Sequence, residues 1–289
     1  MTGGPVEVIG FVGLGNMGSV LAANLVATGH AVVAYDAAGP ERVPVGAAAG
    51  VSVADVARKA DVIVCSLPDG AASESVAREV VATDGRRVTH VVDTSTTGVP
   101  AAQTVAALLA AAGIGFVDAP VSGGIAGARA RTLAVMYSAD DDACARVEPA
   151  LVGLSDKLRR VGDRPGLGQA MKLANNFLSA TALAATSEAV AFGVSVGLDM
   201  ATMIEVLDAS SGHSTATSDK FPNHVLTGRY GSGFSNSLMD KDIRLYLGAV
   251  AEQGSPSTIG EVTAGVWARF VAAEPGVDFT RIYPFVEGS

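Results

Sequence analysis

The stretch VEVIGFVGLGNMGSVLAANLVATGHAVVAYD, Val6 to Asp36, decides the fold. Val6 to Gly13 is a short apolar run rich in β-branched residues and closed by glycine, the pattern of a buried parallel strand. The residues after it have helical spacing, with Met17, Leu21, Leu25 and Val26 on one side and Gly29 placed to end the helix. Ala31 to Asp36 reads as a second strand. Between the first strand and the helix stands Gly13-Leu14-Gly15-Asn16-Met17-Gly18, a G-x-G-x-x-G. Glycines so spaced make the tight turn, let the backbone approach a pyrophosphate and allow close helix–strand packing, while the helix dipole faces the phosphates. Strand, loop, helix and an acidic strand end occur in order, which points to a dinucleotide rather than an ordinary glycine turn.

Asp36 stands where a carboxylate accepts hydrogen bonds from an adenosine ribose and repels a 2′-phosphate; the bland alternative is a solvated strand end. The following AAGPER offers no immediate arginine, although Arg42 is not far off, so NAD is favoured over NADP. Working outward, Asp61–Pro68, Thr89–Thr96 and Gly115–Gly123 repeat the strand pattern between alanine-rich helical stretches, and Thr132–Ala139 adds a further strand. Strands alternating with helices at this rhythm predict an α/β fold with a doubly wound parallel sheet. After Gly168 the strand patterns vanish. Gln169–Val196 is one long proline-free run of alanine and leucine, followed by helical stretches at Met200–Ala209 and Ser237–Gln253. The expected domains are 1–165, binding a dinucleotide, and 166–289, all-helical. The long apolar helix has too few polar residues for a surface helix, so a core or a subunit interface must cover it.

Composition bounds the function. A chain of 289 residues, 49% hydrophobic and 17% charged, supports two packed domains. Its net charge of −9 argues against nucleic acid but permits a small anionic substrate in a locally positive pocket. Cys65 and Cys144 lack metal-ligand spacing and form no disulfide framework, so the expected compartment is the cytoplasm. The N-terminus reads as neither signal peptide nor membrane span, and no metal is expected. His213, in SSGHSTA, reads as a surface-loop histidine, the alternative being one that approaches the active site from the helical domain.

Two motifs remain. In DAPVSGG, Asp118 to Gly124, Ser122-Gly123-Gly124 offers a hydroxyl and unobstructed backbone N–H groups at a strand end, suiting a carboxylate; the same residues also make a common turn. In GLGQAMKLANNFL, Gly166 to Leu178, Lys172 and Asn176 share a helix face. A desolvated lysine serves as an acid/base near neutral pH, whereas one snorkelling from an amphipathic helix does no chemistry.

GFVGLGNMGSVLAANLVATGH, SLPDG, DTSTT, DAPVSGG, GLGQAMKLANNFL and LMDKDIRL occur in one order over essentially the whole chain. In this the chain resembles the β-hydroxyacid dehydrogenases, the family of 3-hydroxyisobutyrate dehydrogenase and tartronate semialdehyde reductase. The resemblance implies an N-terminal Rossmann domain, an all-α C-terminal domain built on a long helix, and homodimers or homotetramers formed through it. It implies Lys172 as catalytic acid/base with Asn176 as its substrate-binding neighbour, and Ser122, Gly123 and Gly124 as the carboxylate anchor. It places Leu67, Pro68 and Thr96 along the cofactor, with Lys241 on the cofactor side and Asp242 on the substrate side of the same site. The implied reaction moves a hydride between NAD, or NADP, and a small 3-hydroxy acid.

The chain departs from the family pattern at two places. Arg131 stands where glycine usually precedes the threonine of TL, and MVGG is replaced by Met136-Tyr137-Ser138-Ala139. Both are expected to lie outside the catalytic set. Imine reductases share the architecture but replace the lysine. 6-Phosphogluconate dehydrogenase needs a longer helical domain. A non-catalytic dinucleotide-binding scaffold is the rival from another class, against which Lys172, Asn176 and Lys241 together speak.

Overall fold

A computed structural model describes residues 7–288. Val6 and the outermost ends of the expected domains, residues 1–6 and 289, lie outside the described residues. The chain divides into two compact units at Lys172/Leu173, whereas the expected domains meet at 165/166.

The first unit opens with β1 (Val8–Val12), α1 (Gly18–Ala27), β2 (Ala31–Tyr35) and the two-residue β3 (Ala48–Ala49). It continues through α2 (Val53–Lys59), β4 (Val62–Cys65), α3 (Gly70–Ala82), β5 (His90–Asp93), α4 (Val99–Ala110) and β6 (Gly115–Asp118). Then come β7 (Val121–Ser122), α5 (Gly124–Arg129), β8 (Ala134–Ser138), α6 (Asp141–Leu154) and β9 (Lys157–Gly162). The strand order is β3-β2-β1-β4-β5-β6-β8-β7, with β9 also paired to β8. From β3 to β6 every pairing is parallel.

Alternation inside these apolar runs builds two core layers. Phe11, Val64, Val92 and Val117 are register partners and pack on one face with Leu21, Leu25 and Val147. Ile63, Val91 and Phe116 point to the other face, against Val56, Val80 and Leu109. A run such as Val62-Ile63-Val64-Cys65 is apolar throughout because both faces are covered. Full burial of each such side chain contributes about 1.5–3 kcal/mol.

The sheet is not parallel throughout. β8 runs antiparallel to β6 and β7, then parallel to β9. The expected strand Gly115–Gly123 is interrupted after Asp118, where Pro120 has no N–H to give a ladder. Pro120 instead uses its carbonyl, which accepts Met136 N–H at 3.0 Å.

The long helix α7 (Leu167–Ser195) begins in the first unit and continues into the second. By length and composition it could cross a membrane. In the second unit, however, Ala180, Leu183, Ala184 and Val190 are core residues, and buried Ser187 returns its hydroxyl to Leu183 O at 2.8 Å. The unit continues with α8 (Met200–Asp208), a π-helical stretch at Ala216–Val225, α9 (Asn236–Glu252), α10 (Thr258–Ala273) and α11 (Ile282–Glu287). Trp267, Phe270, Phe221 and Ile243 complete its core. Leu178, Phe192, Ile259 and Val262 stay exposed on this unit.

Candidate active site

The glycine loop has the geometry of a cradle. A Cβ on Gly13 would lie 2.3 Å from Ser66 O, and one on Gly18 would lie 2.0 Å from Gly13 O, so neither position admits a side chain. A Cβ on Gly15 would meet nothing within 4 Å. Two glycines thus close the turn onto the protein, and the third leaves backbone open to a ligand. Beside it a cleft of about 310 Å³ is lined by Leu14, Gly15, Asn16, Ser19 and Arg42. Met17, the N-cap of α1, makes no side-chain cap. These features fit the pyrophosphate of a dinucleotide.

Asp36, at the end of β2, is not the solvated strand end. Its Oδ2 accepts Leu14 N–H at 2.5 Å and its Oδ1 accepts Ala38 N–H at 2.8 Å. Arg42 Nη1 lies 3.8 Å from Oδ1 and lines the cleft, so the arginine that ends AAGPER stands beside the Asp36 carboxylate.

The neighbouring strand ends are laced to one another. Leu67 N–H donates to Ser95 Oγ at 2.7 Å, and buried Thr94 donates to Cys65 O through both N–H and hydroxyl. Leu67 and Thr96 are half-buried and Pro68 is exposed on these loops. Ser122 is half-buried, with exposed Gly123 and Gly124 leading into α5. The first unit therefore gathers the glycine loop, Asp36, Leu67, Thr96 and Ser122 along the carboxyl ends of its strands.

Lys172 belongs to the same unit, on the first part of α7, and is buried at 8% exposure. Three residues earlier, Gln169 is fully buried. Its Oε1 accepts Thr97 N–H at 2.9 Å and Gly98 N–H at 3.2 Å, and its Nε2 donates to Ser95 O at 3.0 Å. Sequence reasoning passed over Gln169, although a glutamine inside an apolar helix was the available signal. It passed over Asp118 as well. That carboxylate accepts Ser138 Oγ–H at 2.5 Å and Gln169 N–H at 2.9 Å, and burial outweighs these bonds to push its pKa up to about 6.

In the second unit Asn176, Lys241 and Asp242 form one cluster. Asn176 Nδ2 donates to Asp242 Oδ2 at 2.6 Å. Lys241 Nζ lies 2.9 Å from Asp242 Oδ1, an ion pair; among the described residues that buried oxygen accepts no hydrogen bond. His213 is a surface residue, its Nδ1 held 2.9 Å from Asp208 Oδ1. Among the described residues no group of three His, Cys, Asp or Glu side chains is placed to hold a metal.

The departures from the family pattern have structural reasons. Arg131 adopts a left-handed φ of 57°, where glycine is the usual choice. Its guanidinium donates to Val152 O at 2.8 Å and Asp156 Oδ1 at 2.9 Å, which offsets the strain. Ser138 is the residue that hydrogen-bonds Asp118, so this departure reaches the helix bearing Lys172.

Comparison with known proteins identifies the family. The family model for the NAD binding domain of 6-phosphogluconate dehydrogenase matches residues 8–162. That for the NAD-binding domain of NADP-dependent 3-hydroxyisobutyrate dehydrogenase matches residues 166–286. A probable 3-hydroxyisobutyrate dehydrogenase of Mycobacterium tuberculosis is 36% identical, over 95% of this chain and 96% of that protein. The 2-(hydroxymethyl)glutarate dehydrogenase of Eubacterium barkeri is 36% identical, over 86% of this chain and 84% of its own. The solved structure of the M. tuberculosis 3-hydroxyisobutyrate dehydrogenase with L-serine superposes with a TM-score of 0.89 at 32% identity, covering 97% of this chain and 99% of that one. The chain belongs to the β-hydroxyacid dehydrogenase family, and is an NAD(P)-dependent oxidoreductase of the hydroxyacid dehydrogenase class.

Proposed function

We propose that the chain oxidises a small 3-hydroxy acid, and reduces the product in reverse, with Lys172 as the acid/base. The observation that carries this reading is a lysine only 8% exposed, at the start of a helix in the unit that holds the glycine cradle. A bound nicotinamide supplies the hydride acceptor. Lys172 Nζ takes the substrate hydroxyl proton in oxidation and returns it in reduction. Ser122 Oγ and the N–H groups of Gly123 and Gly124 anchor the carboxylate. Asn176, its amide oriented by Asp242, binds substrate, and Lys241 serves the cofactor. Leu67, Pro68 and Thr96 line the cofactor.

The substrate class is 3-hydroxy acids of the size of 3-hydroxyisobutyrate, 3-hydroxypropionate, glycerate, threonate or serine. A spectrophotometric screen of these acids with NAD and NADP side by side identifies the substrate. NAD is preferred, because Asp36 sets a negative charge at the ribose position; kcat/KM with NAD should exceed that with NADP by about tenfold or more, tenfold being about 1.4 kcal/mol. Equal use of NADP would mean that Arg42 governs the choice. The functional domains are 1–165 and 166–289. The exposed Leu178, Phe192, Ile259 and Val262 support a homodimer or homotetramer built through the helical domain. Two buried free thiols suit the cytoplasm.

Lys172→Ala tests the central assignment. Turnover should fall by about 10²–10⁴ with NAD affinity nearly unchanged. Wild-type oxidation should rise with pH through one ionisation, and that limb should be missing from the variant. A variant with near-normal kcat would pass the acid/base role to another group, Lys241 being the first to test.

A further inference from the structure

The first turn of α7 is held by residues distant in sequence. Gly168 N–H donates to Ser138 Oγ at 2.8 Å, and Gln169 N–H donates to Asp118 Oδ2 at 2.9 Å. Ser138 Oγ in turn donates to Asp118 Oδ1 at 2.5 Å. The approach is close: a Cβ on Gly168 would lie 2.7 Å from both Asp118 Oδ2 and Met136 O. A helix that needs only its N–H groups satisfied is capped by a neighbouring Ser, Thr, Asp or Asn, as α2 is by Ser52 and α3 by Asp69. Here the acceptors come from the ends of two strands. The Gln169 side chain then turns to a third, placing three hydrogen bonds on the Ser95–Gly98 loop, on which Thr96 is also carried. Asp118, Ser138 and Gln169 are each fully buried. Gln169 and Lys172 are three residues apart and lie on one helix face. All of these residues belong to one compact unit.

We propose that Ser138, Asp118 and Gln169 form a positioning clamp that sets Lys172 in place relative to the Ser95–Gly98 loop, so that the proton acceptor and the cofactor-lining loop keep one geometry. The proposal rests on Lys172 being the acid/base. The clamp does not touch the reacting atoms and acts through the lysine. Ser138 adds to it at one of the two places where the chain departs from the family pattern.

The test is a double-mutant cycle. Ser138→Ala and Gln169→Met are made alone and in the Lys172→Ala background, with kcat, substrate KM, NAD affinity, circular dichroism and the isotope effect on transfer from deuterated substrate recorded for each. Alone, each clamp variant should lower kcat about five- to tenfold, leave substrate KM and NAD affinity within about twofold, and raise the isotope effect as the chemical step becomes slower. In the Lys172→Ala background the same changes should cost less than twofold, because a clamp has nothing left to place. Equal fold-losses in both backgrounds, or unchanged kcat in the single variants, would overturn the clamp. Near-normal turnover in Lys172→Ala alone would instead overturn the acid/base reading, so the two failures are distinct. If Gln169→Met does not fold, Ser138→Ala, which removes only a hydroxyl, decides the matter.

Discussion

Two helices of the first unit begin beside strand ends, α1 at the glycine loop and α7 at Gly166-Leu167-Gly168, and their starts are built in opposite ways. The start of α1 has no side-chain cap and an open position at Gly15. The start of α7 is occupied: Asp118 brings the protein's own carboxylate to it, and Gly168 has no free space. A helix N-terminus attracts an anion in either case. Left open, it serves a ligand; filled from within, it becomes a fixed support for what the helix carries.

The largest expected effect concerns the internal anion. Burial raises the folded pKa of Asp118 above its ordinary 3.8, to about 6, so folding favours the protonated form. Its contribution is least unfavourable below about pH 4 and worsens as pH rises through 6, by about 3 kcal/mol in all. Denaturant titrations of the wild type and Asp118→Asn across pH 4–7 should therefore show the wild type losing stability relative to the variant as pH rises, with a plateau above pH 6–7. A constant difference would mean that Asp118 is not ionised as described.

Gly168→Ala and Gly15→Ala sharpen the contrast. The first forces a methyl against a carbonyl and a carboxylate and should destabilise the fold by about 1–3 kcal/mol. The second meets no protein atom, so the melting temperature should hold, while the Kd for NAD rises about tenfold because the methyl stands where the pyrophosphate approaches. Affinity loss with Gly168→Ala but not Gly15→Ala would reverse the assignments of the two helix starts.

The same contrast marks what was legible in the sequence. The central strands could be read because runs such as Val62–Cys65 are apolar on both faces, and the glycine cradle because its spacing is local. β9, Lys157–Gly162, was not legible, because as a largely exposed, basic end strand it shows no apolar alternation. The antiparallel turn of β8 was hidden in pairings that a single strand pattern does not reveal. In the site, the Asn176–Asp242 bond joins residues 66 apart, and Gln169 reaches back more than 70 residues to its loop. Motif spacing names such residues without showing what they hold. Arg131 could be seen as a departure from glycine, but its left-handed backbone and its grip on Asp156 are tertiary facts.

The bonds from Asp36 to Leu14 N–H and Ala38 N–H bear on the kinetics of association. Because the loop is tied to the end of β2 by the chain itself, the dinucleotide meets a surface already in its receiving shape, and little conformational entropy is lost in ordering it. Capture is then governed by diffusion and steering rather than by a slow rearrangement. In deuterated solvent the Leu14 amide should exchange slowly even without nucleotide.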